Sequence, residues 1–199
     1  MIALSTDITV EKEFHWHCPL HVSTTRVIFR NPINHKNLSD IKNQLKNVKD
    51  NLPDNITQYV FGCTSGTAVI GDYIEENFIN PLTATVNWCK EHNVSQIGLF
   101  TPYNKDVHTT VKQWFETKGI YVVAHKCLNI DSDVTVANLD RTWLKKQIQD
   151  FETTADTIFL SCTALPVLDL LPELTQETGK HYISSNSSLI WQLTKETKE

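Results

Sequence analysis

Two cysteines stand in similar surroundings and offer acid–base or nucleophilic chemistry. Cys63 and Cys162 each follow an apolar run and precede a threonine, in the strings YVFGCT and IFLSCT. Ligands of open α/β sheets bind beyond the carboxyl ends of the strands, which is where this pattern places both thiols. We expect a helix to follow each thiol, since unpaired N–H groups and the helix dipole at its start favour the thiolate.

The residues next to these thiols suit a carboxylate ligand. Thr64, Ser65 and Thr163 supply hydroxyl groups. Gly62 and Gly66 permit a tight turn and a close approach of the backbone to a ligand. Hydroxyl and backbone N–H donors of this kind can bind a carboxylate without an arginine.

A pair of thiols on opposite sides of one ligand could act from both of its faces. One thiolate would remove a proton or add to a carbon, while the other thiol delivers a proton from the opposite side. The alternative is that these cysteines are small buried hydrophobes, as free cysteines often are. That interpretation suits Cys18, Cys89 and Cys127 better.

The elements that must position the thiols alternate between strand and helix. Short apolar runs predict buried strands at Ile2–Ser5, Arg26–Phe29, Gln58–Gly62, Ile97–Phe100, Tyr121–His125, Thr157–Ser161 and His181–Ser184. Helical stripes lie between them: Leu38, Ile41, Leu45 and Val48 after a capping Asn37; Val107, Val111, Trp114 and Phe115 after Asn104; and Trp143, Leu144, Ile148 and Phe151. The fold class is therefore α/β with parallel sheets.

The two halves of the chain resemble each other. The run Ile2–Thr6 matches Ile97–Thr101, and in each half a Cys-Thr pair follows at nearly the same distance. This order predicts a duplicated unit, with a cleft between two pseudo-symmetric lobes. We expect a first lobe at 1–80, a second at 81–180, and a crossing of 181–199 back to the first.

Several longer strings carry a family resemblance. The segments LSTDITVE, FGCTSGTAVIG, GLFTPYNKDV, FLSCTALP and ISSNSSLIW resemble the maleate isomerase and arylmalonate decarboxylase branch of the aspartate/glutamate racemase superfamily. The opening and the TPY segment are most similar to its ectoine-utilisation members. The resemblance implies two flavodoxin-like lobes, an active site between them, and neither a metal nor an organic cofactor.

The resemblance also implies roles for individual residues. Cys63 would be the nucleophile or base of the first lobe, and Cys162 the acid or base of the second. Thr64, Ser65, Thr163 and Tyr103 would hold a substrate carboxylate or enediolate. The decarboxylase pattern has glycine at the first cysteine, so the presence of both thiols favours an isomerase or racemase.

The chain departs from the family pattern at four places. Asp7 and Asp133 stand where the maleate isomerase pattern has asparagine, Pro166 replaces a frequent arginine, and the connection at 79–81 is shortened. An ionised aspartate repels a dicarboxylate and suits an ammonium group. We therefore expect Asp7 and Asp133 to bind substrate, with an amino acid among the candidate small carboxylates.

Composition excludes several function classes. The 199 residues carry a formal charge of −5 and five cysteines, without a basic surface or a long apolar run. We expect neither nucleic acid nor membrane as a partner, and reduced thiols in a cytoplasmic protein. The sequence leaves open assembly as a homodimer. The alternatives to an isomerase are a decarboxylase of the same family and a non-catalytic protein that binds small carboxylates.

Other polar residues have simpler interpretations. His15, His17, Cys18 and His21 form a cluster that suggests a metal site, but the tight second ligand pair of a zinc site does not follow. A polar loop is the preferred interpretation. We expect Glu11 and Glu13 to be solvated or capping, His108 to lie on a helix surface, and Trp143 to belong to the core.

Overall fold

A computed structural model describes residues 1–196, and its elements alternate as the α/β prediction requires. The strands are β1 (Ile2–Leu4), β2 (Thr25–Val27), β3 (Phe61–Gly62), β4 (Gln96–Thr101), β5 (Tyr121–Cys127), β6 (Thr157–Leu160) and β7 (His181–Ser184). The helices are α1 (Val10–His17), α2 (His35–Asp40), α3 (Lys42–Leu45), α4 (Thr64–Ile70), α5 (Asp72–Asn77), α6 (Pro81–Glu91), α7 (Lys105–Thr117), α8 (Asp133–Ala137), α9 (Arg141–Gln149), α10 (Leu171–Thr178) and α11 (Ser185–Glu196). Short 3-10 helices cover Val48–Asn51 and Leu168–Leu170. Within this part of the chain, no helix combines the length and apolar character needed to cross a bilayer.

The strands form two parallel sheets, in the orders β2-β1-β3 and β5-β4-β6-β7. β1 and β4 hold equivalent places, as do β3 and β6, so the predicted pseudo-symmetry and fold class are confirmed. In the described residues, the first sheet's counterpart of β7 is a single parallel bridge between Val60 and Ile79. The shortened connection at 79–81 is therefore a fourth strand reduced to one bridge, after which α6 begins at Pro81.

Apolar packing joins the two sheets. One buried cluster includes Ile2 and Phe61 of the first sheet and Leu99 and Phe159 of the second. Because the first sheet alone is small, sharing a core with the second increases the apolar area that it removes from water. The two cysteine-bearing edges are thereby held against each other.

The C-terminal segment divides between the two lobes. The expectation that 181–199 returns as a whole to the first lobe is wrong for the strand, because β7 pairs with β6. Helix α11 instead buries Leu189 and Leu193 in a separate cluster with Val10 and Phe14 of α1. Residues 197–199 of this prediction lie outside the described residues.

The first predicted helical stripe is buried, but its helix is interrupted. α2 ends at Asp40 and α3 begins at Lys42. The cap is Asn34 rather than the predicted Asn37, and its side chain accepts a hydrogen bond from the Asn37 N–H at 2.8 Å. Both asparagines fit a cap by type, and only the backbone geometry distinguishes them.

The other two stripes differ in outcome. Asn104 caps α7 as predicted, accepting from the Val107 N–H at 3.0 Å. In α9, Leu144 and Ile148 are buried, but Trp143 is 43% exposed. The core assignment of Trp143 is therefore wrong, since it lies outside the face that α9 buries.

Candidate active site

Cys63 lies directly after β3 and caps α4. Its Sγ accepts a hydrogen bond from the Gly66 N–H at 3.2 Å and lies 3.6 Å from Ser65 Oγ. A Cβ at position 66 would meet both Cys63 Sγ and the Phe61 ring at 3.0 Å, so both side chains would have to shift by a few tenths of an ångström to accept any larger residue. The thiol is thus fixed by the first turn of a helix.

Cys162 follows β6 with a different backbone. Its φ is +133°, in a region that residues with a side chain rarely adopt. A turn follows instead of a helix, so the prediction of a helix after each thiol is wrong for Cys162. The Cys162 N–H donates to Ser185 Oγ at 2.9 Å. Strain of this kind needs support from the surrounding structure and is common at functional sites.

Hydrogen bonds connect the two cysteine segments. The Thr64 hydroxyl donates to Ser185 Oγ at 2.8 Å, and Ser185 Oγ also accepts from Cys162. The Thr163 hydroxyl donates to the Gly62 carbonyl at 3.2 Å. The carboxyl ends of β3 and β6, from different sheets, therefore meet at one buried place.

Tyr103 points its hydroxyl into this place. It follows β4 and is 1% exposed, and its Oη makes no hydrogen bond of ordinary geometry to another described residue, although it interacts with the Cys162 thiol and the Ser161 hydroxyl. Burial raises the pKa of Tyr103 well above its usual value, and the charges of Cys162 and Cys63 raise it further. The Tyr103 hydroxyl thus lies near both sulfurs and interacts with that of Cys162.

Two buried carboxyl groups border the thiols. Asp7 follows β1, and its Oδ1 accepts from the N–H groups of Thr9 and Val10 at 2.9 and 3.0 Å. Asp133 begins α8, and its Oδ2 accepts from the Thr6 hydroxyl at 2.6 Å. This last hydrogen bond crosses from the second lobe to the first, and both aspartates lie close enough to the two thiols to act on them electrostatically.

The electrostatics of the site favour protonated groups. Burial raises the pKa of Asp133 to about 7, and it also raises that of Asp7. Burial raises the pKa of Cys63 to about 12 and that of Cys162 well above its ordinary value; the Asp133 and Asp7 charges add to both effects. The Gly66 N–H at the helix start favours the thiolate of Cys63 as expected, but the net pKa of this thiol is raised because burial outweighs that hydrogen bond.

Glu13 was missed by sequence reasoning, since nothing in the local pattern distinguishes it from Glu11. Its Oε1 accepts from the Leu168 N–H at 3.0 Å, and its Oε2 accepts from Asn186 Nδ2 at 2.6 Å. Burial raises the pKa of Glu13 to about 7. The expected solvated or capping role is wrong, because α1 directs this side chain towards the Cys162 segment.

The histidines also differ from expectation in one case. His108 is 4% exposed, and its two ring nitrogens lie 2.9 Å from Thr101 Oγ1 and 3.0 Å from His125 Nδ1. The surface assignment of His108 is therefore wrong. Around His15 and His17, as elsewhere in residues 1–196, no three potential ligands are grouped so as to hold a metal ion.

The family assignment follows from comparison with known proteins. The family model for arylmalonate decarboxylase matches residues 81–199, more than half of the chain, which therefore belongs to the arylmalonate decarboxylase family. An arylmalonate decarboxylase from Bordetella bronchiseptica is 27% identical over 112 residues, 55% of this chain. That match spans 47%, about half, of the relative's length.

Solved structures share the fold over nearly the whole chain. The maleate isomerase Iso from Pseudomonas putida S16 has a TM-score of 0.86 at 19% identity, with 99% of this chain and 91% of that chain covered. A Nocardia farcinica maleate cis-trans isomerase mutant with a bound succinylcysteine intermediate has a TM-score of 0.87 at 15% identity, with the same coverage. A liganded arylmalonate decarboxylase mutant has a TM-score of 0.83 at 16% identity, covering 98% and 90%. The resemblance deduced from the motifs is thus confirmed at the level of family and fold.

Proposed function

We propose that this chain is a cofactor-independent isomerase or racemase of a small carboxylate, with Cys63 and Cys162 as its catalytic residues. The supporting observation is that two thiols from different sheets share one buried environment with the hydroxyl of Tyr103. Such a pair can deprotonate or add to one face of a ligand and protonate the other.

The hydroxyl groups around the thiols would have different roles in substrate binding. The Thr64 and Thr163 hydroxyls already donate to Ser185 and Gly62. Tyr103 Oη makes no hydrogen bond of ordinary geometry and would donate to the carboxylate or enediolate oxygen. Ser65, beside Cys63, would add a second contact. A donor held ready in a dry site stabilises developing negative charge without reorganisation.

The two aspartates support an amino acid as the substrate. In their ionised form, their negative charges raise the pKa values of both thiols, which disfavours the reactive thiolates. An ammonium group between Asp7 and Asp133 would offset those charges and lower the pKa of Cys63 and Cys162. A plain dicarboxylate would add negative charge to the same place.

Decarboxylation is the second candidate, and family membership favours it. The presence of Cys63, where the decarboxylase pattern has glycine, favours isomerisation or racemisation instead. The succinylcysteine of the Nocardia farcinica isomerase supports a covalent variant, in which one thiolate adds to a double bond and the other thiol protonates the adduct. After rotation about the new C–C single bond, the second sulfur takes the proton back and the first leaves as thiolate, which re-forms the double bond.

One screen tests the proposal. The protein is incubated in deuterated buffer with a panel of amino acids, unsaturated dicarboxylates and aryl malonates, and products are followed by proton NMR. We expect α-deuterium incorporation or cis–trans conversion for at least one compound, and none with the Cys63→Ser/Cys162→Ser double variant. Carbon dioxide release would select the decarboxylase. Binding by calorimetry without any turnover would contradict the proposal and favour a binding protein.

A further inference from the structure

We propose that Glu13 is a positioning residue for Cys162: its carboxylate, on α1 of the first lobe, anchors the turn of the second lobe that carries this thiol. The inference rests on the proposed function in assigning chemistry to Cys162. The anchoring itself is argued from contacts alone.

The two thiols differ in how they are held. Cys63 is fixed by α4, through the hydrogen bond from the Gly66 N–H. Cys162 has no helix directly after it, and its φ of +133° is an unfavourable conformation. A strained turn persists only where other contacts determine it. The Ala164 N–H interacts with the Cys162 thiol and the Leu165 N–H donates to the Cys162 carbonyl at 3.2 Å. Ser185 adds an anchor from outside this turn, at the Cys162 N–H.

Glu13 anchors the chain after Cys162 at two further points, one at Leu168 and one, through Asn186, at Thr163. Its Oε1 accepts the Leu168 N–H at 3.0 Å. Its Oε2 accepts Asn186 Nδ2 at 2.6 Å, and the same amide nitrogen donates to the Thr163 carbonyl at 2.9 Å. Asn186 is 1% exposed, so this relay is shielded from water. One carboxylate thus holds the chain at 163, next to the thiol, and at 168.

The carboxylate is kept at this place despite unfavourable surroundings. Burial and the charges of Asp169 and Asp7 all disfavour its ionised form, whereas the Asn186 and Leu168 hydrogen bonds favour it. A carboxylate offers two acceptor oxygens, and both contacts of Glu13 are with donors. Glutamine would offer one acceptor and turn its NH2 group towards the other donor.

A second contact strengthens the same docking. One helical turn beyond Glu13, His17 Nε2 lies 2.9 Å from Asp169 Oδ1. Asp169 belongs to the same 3-10 helix as Leu168. Helix α1 therefore contacts the 3-10 helix Leu168–Leu170 from two successive turns. Glu13 is more buried than His17.

The test compares the alkylation rates of two thiols in one molecule. Glu13→Gln and parent protein are treated with iodoacetamide, and peptide mass spectrometry follows Cys162 and Cys63 separately. Loss of a charged hydrogen bond should let the turn open more often, so we expect Cys162 to react about tenfold faster. Cys63, held by α4, should be unchanged. Glu11→Gln is the matched control, since Glu11 is on the same helix and contacts Arg26 instead.

The outcome separates positioning from general stability. Equal acceleration of Cys162 and Cys63 would show a global loss of stability and overturn the proposal, as would no change in either thiol. The same Cys162 effect in Glu11→Gln would also overturn it. Hydrogen exchange of residues 162–168 gives a second measurement, with faster exchange expected in Glu13→Gln alone. Neither measurement needs turnover, so failure of the proposed function would be recognised separately.

Discussion

Thr64 and Ser185 are joined by a 2.8 Å hydrogen bond in which the Thr64 hydroxyl donates to Ser185 Oγ. Thr64 begins α4 of the first lobe, and Ser185 begins α11 after the last strand of the second sheet. Because Ser185 Oγ also accepts from the Cys162 N–H, one hydroxyl oxygen fixes the segments of both thiols. The relative position of the two sulfurs depends on this oxygen.

Removal of this oxygen should therefore affect both stability and turnover. Ser185→Ala leaves two buried donors, the Thr64 hydroxyl and the Cys162 N–H, without their acceptor. We expect the free energy of unfolding to fall by about 1–3 kcal/mol in urea titrations. We also expect turnover of the substrate found by the deuterium screen to fall.

Ser188→Ala is the matched control for that variant. Ser188 is also buried on α11, and its Oγ accepts from Thr85 at 3.0 Å. It should lose stability as well, but keep turnover under conditions where the protein stays folded. Equal loss of turnover in both variants would show that Ser185 has no particular role at the thiols.

Serine substitution of each thiol distinguishes the two mechanisms. A serine hydroxyl is a poor base at neutral pH, so Cys63→Ser and Cys162→Ser should each abolish net conversion. In a racemase, the surviving thiol exchanges only the enantiomer that it faces, so the two variants should exchange opposite enantiomers with deuterium. In a covalent isomerase, one variant fails to form the sulfur adduct and the other accumulates it, as mass spectrometry would show.

Cys89→Ser is the control for these substitutions. Cys89 is buried on α6, away from either strand end. It should change stability and leave conversion intact in folded protein. Full activity in Cys63→Ser or Cys162→Ser would exclude both mechanisms.

Asp133 should make the protein less stable as pH rises towards neutrality. Its pKa rises from 3.8 to about 7 on folding because of burial. The native state then binds this proton more tightly than the unfolded state, so the contribution is full below 3.8 and is lost as pH rises towards about 7. Asp133→Asn keeps an oxygen for the Thr6 hydroxyl and cannot ionise. Above pH 7 we expect this variant to be more stable than the parent.

The difference in unfolding free energy between Asp133→Asn and the parent isolates the contribution of Asp133, because Glu13, whose pKa is also raised to about 7, is present in both proteins. In urea titrations across the window, the difference should change by at most about 1.4 kcal/mol per pH unit. Asp131→Asn, two residues away on an exposed side chain, is the matched control. A constant difference for Asp133→Asn would contradict the buried carboxyl.

The same aspartates should determine which charge the ligand carries. If an ammonium group sits between Asp7 and Asp133, their replacement by asparagine should weaken amino-acid binding and strengthen maleate binding in calorimetry. The reason is that an amide donates to a carboxylate, whereas an ionised aspartate repels it. Tighter binding of maleate than of any amino acid by the parent protein would contradict the expectation.

The features that could be predicted reliably from the sequence are those that depend on residues adjacent along the chain. Strand β7 matches its predicted bounds, His181–Ser184, and the Asn104 cap of α7 is correct. The two Cys-Thr pairs lie at strand ends because apolar runs and the residues that end them are local signals. The similarity between the two halves of the chain added the prediction of two pseudo-symmetric lobes.

Features that depend on tertiary packing were not predictable in the same way. The donors that Glu13 accepts from belong to Leu168 and Asn186, far along the chain. No periodicity identifies which of two glutamates on α1 faces them. The thiol pKa values were predicted in the wrong direction because burial, a property of the whole fold, outweighed the local helix start.

His108 gives a pH dependence opposite to that of Asp133. Burial and the neighbouring His125 lower the pKa of His108 from 6.5 to about 4. The folded state therefore keeps the ring neutral, while the unfolded state takes up a proton below about 6.5. The stabilising contribution of the neutral ring is full above pH 6.5 and is lost as pH falls towards about 4.

His108→Gln should lose stability at neutral pH, where it gives up contacts to Thr101 and His125. The difference in stability from the parent should become smaller as pH falls. Urea titrations from neutral to acidic pH measure this difference, with His15→Gln as the exposed control. A His108→Gln difference that stays constant, or that grows on acidification, would mean that the pKa of His108 is not lowered by folding.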